Sequence, residues 1–253
     1  HDSASRRHPD QLAALQGLLE RDGATTACLI LEPRVQGAAG MVQQPAGFVK
    51  AVADLCRTHG VHLILDEVFT GFGRVGALTV AEMDGVVPDF LCLAKGLTGG
   101  YLPLAATLTS GKIYDAFLGA ADRAFYYGHS YTANPLGCAA ALASLDVFEQ
   151  EKTLSQLPEK IARLATGLAD LKSRHPLVHE IRQCGFIAGI ELRRPDGGKF
   201  PPGERFGEAI CLAARAHGLL TRPILDTIVL MPPLATHLGE IDHAIHALDL
   251  ALG

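Results

Sequence analysis

The apolar residues of this chain fall into short unbroken runs separated by stretches of helical period. TACLILEP (26–33), VHLILD (61–66) and DFLCLA (89–94) are runs of strand length, and LPLAATLTS (102–110) is a further strand candidate. PDQLAALQGLLE (9–20) reads as a helix ended by Gly23. PAGFVKAVADLCRTHG (45–60) carries apolar residues at 48, 49, 52, 55 and 56, a helical spacing with Gly60 as its stop. A shorter helix is expected near Leu78–Asp84. Strand–helix–strand alternation with continuously apolar strands argues an α/β fold whose mostly parallel sheet is buried on both faces.

Two long helices follow. One opens at Asn134-Pro135, an ordinary cap, and runs to about Gln150; the other covers roughly 152–173. Beyond His175-Pro176 the texture changes. EIRQ, GFIAGIELRR, a Pro/Gly-rich loop, the helical ERFGEAICLAARAHG, LLTRPI, TIVLMPP and a final helix mix strands and helices in an α+β manner. The expected division is therefore one domain over 1–150 and a small α+β domain over 151–253.

Composition narrows the function classes. The 253 residues are 48% hydrophobic and 19% charged with a net charge of −5, a globular composition with no basic block for nucleic acid. The richest apolar stretch, Leu136–Val147, is broken by Gly137, Ser144 and Asp146 and falls short of the roughly 20 residues of a membrane span. HDSASRRHPD has no apolar core of a signal peptide. The chain lacks an initiator Met and reads as a fragment. Its six cysteines contain no C-x-x-C pair and mostly sit in apolar runs, which reads as buried free thiols in a reducing cytoplasm and argues against zinc.

The candidate chemistry begins at LILDEVFTGFGRVG (63–76). Gly71–Gly76 spells G-x-G-x-x-G, the fingerprint of a dinucleotide cradle. That cradle needs its glycines straight after the strand and at the start of a helix. Here Asp66 and Glu67 occupy the strand exit, where two carboxylates would repel a pyrophosphate, and only a short helical pattern follows. Asp66 instead ends one predicted strand and Lys95 lies just past the end of another, 29 residues on, one strand–crossover–strand unit. Ligand crevices of parallel sheets lie at these carboxyl ends. An acid and an amine facing one crevice suit pyridoxal phosphate: the lysine for a Schiff base, the acid for the protonated pyridine nitrogen. Spacing alone does not decide it: a lone Asp at a strand end is more often a cap or loop hydrogen-bonder, and a lone Lys more often a solvated surface charge. Glu240, His243 and His246 share a face of the last helix, but a solvated face explains them without a metal.

LILDEVFTGFGRVG with PDFLCLAKGLTGGYLPLAATLTS (88–110) resembles the core of the class III (subgroup II) aminotransferases, fold-type-I pyridoxal-phosphate enzymes. ILEPRVQGAAGM, YGHSYTANPLGCAAALASL and LLTRPILDTIVLMPPL resemble further segments of the same family. Within it, CLAKGLTGGYLPLAATLT, GHSYTANPLGCAAA and TRPILDTIVLMPP most resemble the biotin-pathway branch, the 7,8-diaminononanoate synthases. That branch converts 8-amino-7-oxononanoate to 7,8-diaminononanoate, with S-adenosylmethionine or, in some relatives, lysine as amino donor.

The resemblance implies a cytoplasmic homodimer with active sites at the subunit interface, acting on small molecules and not on nucleic acid or membrane. It implies that Lys95 is the Schiff-base lysine and proton carrier and Asp66 the pyridinium partner. Gln36 would lie near the phenolic oxygen of the cofactor. Gly128, His129 and Ser130 would lie on the phosphate side of a partner's cofactor, with His129 acting through its backbone. Arg222 would grip the substrate carboxylate, and Arg74 would line the substrate approach. Glu67 would point away from the ring. The Gly-Ser phosphate cup and the ring-stacking aromatic of the family have no counterpart before residue 30. The chain therefore resembles the latter part of the large domain plus the small domain. A different class III ω-aminotransferase and a non-catalytic fragment remain alternatives.

Overall fold

A computed structural model describes residues 7–253. The chain divides into two compact units. The first comprises the chain through Arg34, Gln44–Phe72 and Ala77–Glu151; the second comprises Val35–Gln43, Gly73–Gly76 and Lys152–Gly253.

In the first unit α1 (Arg7–Asp22) packs on α2 (Phe48–His59). Gly60 ends α2 in the left-handed conformation, as its position predicts. The sheet has the order β1 (Cys28–Leu31), β4 (His62–Asp66), β5 (Phe90–Leu93), β6 (Ala106–Thr109), with α3 (Val80–Met83) between β4 and β5. β1, β4 and β5 are parallel. β6 runs antiparallel to β5, so the sheet is mostly parallel, as expected, with one antiparallel edge strand. The link between them holds one 3₁₀ turn and a glycine turn instead of a crossover helix, and such a link reverses the chain.

Among the described residues the expected cover on both faces is not found. Leu63 and Leu65 are buried on the face that α2 covers, whereas Ile30 on the opposite face is 61% exposed. The cysteine expectation holds in part. All six are free, but only Cys56 and Cys211 are buried; Cys28, on the open face of β1, is exposed. After α4 (Gly111–Asp115) and an irregular segment, α5 (Pro135–Gln150) starts at Asn134, whose side chain accepts the Gly137 amide at 2.7 Å.

The second unit holds the antiparallel sheet β7 (Val178–Cys184), β8 (Ile187–Leu192), β10 (Thr227–Leu230), β9 (Arg222–Ile224). Packed with it are α6 (Thr153–Arg174), α7 (Phe206–Ala216) and α8 (Leu238–Leu252). Leu157, Leu164, Leu168 and Leu171 repeat at helical spacing on α6 and are buried; the last three join Phe186, Ile190, Ile228 and Leu248 in one core. A small hairpin of β2 (Val35–Gln36) and β3 (Val42–Gln43) belongs to this unit. Among the described residues no helix is long and apolar enough to cross a membrane.

Candidate active site

Asp66 is the last residue of β4 and pairs in register with Cys92 on β5. Side chains alternate along a strand, so Asp66 shares the open face of the sheet with Ile64 and Ile30. Its carboxylate accepts the Val68 amide at 3.1 Å and is partly buried.

Glu67, one residue on, turns the other way and is fully buried. Its two oxygens accept the Val80 and Ala81 amides at 2.6 and 2.7 Å, closing the exposed start of α3. Burial pushes the Glu67 carboxyl above its ordinary range, against the two amide hydrogen bonds that pull it down.

Lys95 follows the end of β5 (Leu93) after one residue, Ala94, and opens a single 3₁₀ turn, Lys95–Thr98. Its φ is +47°, a left-handed conformation that costs a non-glycine residue about 1 kcal/mol. Strain of this kind collects where geometry serves function. The turn is held by the buried Thr98, whose hydroxyl donates to the Leu102 carbonyl at 2.6 Å. Lys95 itself is exposed, and its Nζ stands 5.5 Å from the ring centre of Phe69, within cation–π range. Phe69 carries no sequence signal beyond its place in VFTGFGR. Asp66 and Lys95 thus stand at the carboxyl ends of adjacent parallel strands, in one unit.

Gly128, His129 and Ser130 lie in an exposed loop of that unit. The His129 backbone closes a turn with Thr132, and its Nδ1 accepts the Tyr131 amide at 3.1 Å, so the ring too has a local task. Around it Phe125, Tyr126, Tyr127 and Tyr131 are all strongly exposed.

Gln36, Arg74 and Arg222 belong to the second unit. Gln36 is exposed on β2. Arg222 is exposed at the start of β9, opposite Val229, with Pro223 fixing the next φ. Arg74 is half-buried and donates through Nη1 to the Pro232 carbonyl at 2.6 Å; burial lowers its pKa. The glycines of Gly71–Gly76 open no helix: turns run to Leu78, and α3 begins at Val80. Glu240 accepts the His237 amide at 2.7 Å, a capping role at the start of α8. Among the described residues no group of three or more His, Cys, Asp or Glu is arranged to hold a metal.

The family described as aminotransferase class-III matches residues 1–252. A curated relative from Nitratidesulfovibrio vulgaris, named adenosylmethionine-8-amino-7-oxononanoate aminotransferase, is 49% identical over 245 residues, covering 95% of this chain and 45% of its own. The crystal structure of the enzyme of that name from Methanocaldococcus jannaschii superposes with a TM-score of 0.91 at 40% identity, over 95% of this chain and 57% of its own. An amine transaminase from an uncultivated Pseudomonas species, solved in its PLP-bound (internal aldimine) form, gives a TM-score of 0.92 at 35% identity, over 99% of this chain and 57% of its own. The chain spans about half the length of the curated relatives it matches. With the family match running through nearly every residue, the chain belongs to the class-III aminotransferases.

Proposed function

We propose that the enzyme of which this chain forms part is a pyridoxal-phosphate aminotransferase of biotin biosynthesis. It transfers an amino group to 8-amino-7-oxononanoate, with S-adenosylmethionine or lysine as donor. The observation that carries this reading is the pair Asp66 and Lys95 on adjacent strand ends, with Lys95 in a strained turn.

The donor set fits the cofactor: an exposed primary amine, and an acid one strand away on the open face. When bound, pyridoxal phosphate supplies an electron sink for the carbanion left by loss of the substrate proton. Lys95 Nζ would hold the cofactor through its aldehyde and, when free, would serve as the general base that moves the substrate proton. The Asp66 carboxylate would face the pyridine nitrogen and favour its protonated form by charge pairing. Gln36 would meet the phenolic oxygen. Arg222 offers a planar fork to the substrate carboxylate, and Arg74 lines the approach.

Residues 1–150 are read as part of the cofactor-binding large domain and 151–253 as the small domain. A homodimer is part of the same reading, with Gly128, His129 and Ser130 reaching the phosphate of a partner's cofactor. Four exposed aromatics in that segment support a covering partner. Six free cysteines support a cytoplasmic setting.

The test is turnover of 8-amino-7-oxononanoate by the full-length enzyme, with S-adenosylmethionine and lysine compared as donors. Amino transfer from one of the two supports the reading, and a full-length protein that takes up no pyridoxal phosphate refutes it. A second reading, transfer between simple amines and ketones, is favoured by the likeness to the Pseudomonas amine transaminase. Turnover of such amines without 8-amino-7-oxononanoate activity would select it.

A further inference from the structure

Arg182 lies on β7, outside the segments assigned to the candidate active site. Its side chain is only 12% exposed, and all five of its N–H groups are engaged. Nε and Nη2 donate to the Gly40 carbonyl at 3.2 and 2.9 Å, and Nη2 also to Thr227 Oγ1 at 3.2 Å. Nη1 donates to Glu180 and Glu191. Burial pushes the Glu191 carboxyl up, but the hydrogen bonds of Arg182 and Arg193 outweigh it and hold the group below its ordinary range. A guanidinium with every donor committed to protein has none left for a substrate carboxylate, so its task is positional.

What it holds is the tip of the β2–β3 hairpin. Gly40 and Met41 form that tip, closed by their amides on the Gly37 carbonyl, with φ of +94° and +58°. Directly across from Arg182 on β8 is Gly189. A Cβ there would stand 2.8 Å from Met41 Cβ and 3.1 Å from both Met41 Cγ and Thr227 Cγ2. Met41 is 3% exposed, so the missing side chain of Gly189 is the hollow in which it sits. Two cross-strand neighbours therefore grip consecutive hairpin residues, one by hydrogen bonds and one by shape. Gln36, on the strand leading into that tip, pairs with Val42.

We infer that Arg182 and Gly189 form a built seat for the hairpin of residues 35–43, and that Arg182 is a positioning residue which sets where Gln36 is presented. The role of Gln36 rests on the function proposed above; the seat itself does not.

Hydrogen exchange on the full-length protein tests the seat directly. In Arg182→Gln and in Gly189→Ala, amides of 37–43 should exchange at least tenfold faster, with β8 and β10 protected to within about twofold of wild type. Loosening that spreads equally through β7, β8 and β10 would overturn the seat. Arg182→Lys keeps the charge but not the fork and should lose the hairpin protection as well; full protection in that variant would also overturn it.

The positioning role is read from pyridoxal-phosphate affinity. Arg182→Gln should weaken binding severalfold, yet add less than twofold once Gln36→Ala is present. Fully additive losses would overturn the link to Gln36. A wild-type protein that binds no cofactor refutes the proposed function and this link with it, while the exchange measurement still decides the seat.

Discussion

Gly185→Ala puts the anchoring of the Arg74 segment to an energetic test. Gly185 turns the chain from β7 into β8 at φ +59°, and a Cβ built on it would lie 2.3 Å from the Val75 carbonyl carbon and 2.5 Å from Val75 Cα. Neither is the end of a flexible side chain, so backbone must separate from backbone by about 1 Å to reach ordinary contact. The bond next in line is the Phe186 amide to the Arg74 carbonyl at 2.8 Å, and Phe186 is fully buried. A buried amide left unpaired costs about 1–3 kcal/mol, and alanine in the left-handed region adds about 1–2 kcal/mol. The expected loss is about 2–5 kcal/mol. Gly197→Ala is the control in the same unit: φ is +82° and nothing lies within 4 Å of the new methyl, so only the conformational part applies. The chain has no Trp, so unfolding in urea is followed by far-ultraviolet circular dichroism and tyrosine fluorescence. A Gly185→Ala protein no less stable than Gly197→Ala would refute the reasoning. It would mean that residues 73–76 are not clamped against the β7–β8 turn.

Four further outcomes follow from named groups. Burial raises the Glu67 carboxyl, so its contribution to stability is full below the ordinary glutamate range near ~4.3 and is lost as pH rises through the raised folded value; unfolding titrations from acid to neutral pH should show that decline in wild type and not in Glu67→Gln. Burial pushes the Cys211 thiol up to about 11, so thiol reagents at neutral pH should modify it only as fast as the second unit unfolds, and rapid native-state labelling would contradict the packing. In the full-length enzyme Lys95→Ala should abolish transamination, while Arg222→Ala should raise KM for the carboxylate-bearing ketone roughly 10–100-fold, the worth of a charge-assisted fork; an unchanged KM counts against Arg222.

Long apolar runs and helical periods were legible in the sequence because each is a local property. α2, β4, β5 and α5 lie within a few residues of where their patterns place them. The relation between Asp66 and Lys95 was legible for a related reason: one crossover unit between parallel strands fixes which ends become neighbours. Pattern could not give the direction of β6, since an apolar run carries no arrow and the link decides it. Nor could it find β2 and β3, two residues each, too short to show a period. The left-handed backbone at Lys95 and the hollow at Gly189 were invisible for a further reason. The hollow is made by residues distant in sequence, and the φ of Lys95 leaves no trace in the pattern of apolar residues.

The G-x-G-x-x-G of residues 71–76 shows how one spelling can serve different physics. In a dinucleotide cradle the glycines admit a phosphate to a helix start. Here Gly71 is required because a Cβ would stand 2.9 Å from the Glu67 carbonyl oxygen, inside the first unit. Gly73 is required by its φ of +85°, and a Cβ there would press on Leu234 Cδ1 at 2.9 Å and Leu157 Cδ1 at 3.2 Å, inside the second. Two residues apart, they answer to two different cores, so the motif marks the place where the chain leaves one unit for the other. Asp66 stands eight residues before Arg74 across that crossing. The acid that faces the open sheet and the arginine fastened to the Pro232 carbonyl are therefore joined by a short covalent tether. Each glycine in that tether is held by contact with protein, which leaves no surplus backbone to wrap a pyrophosphate.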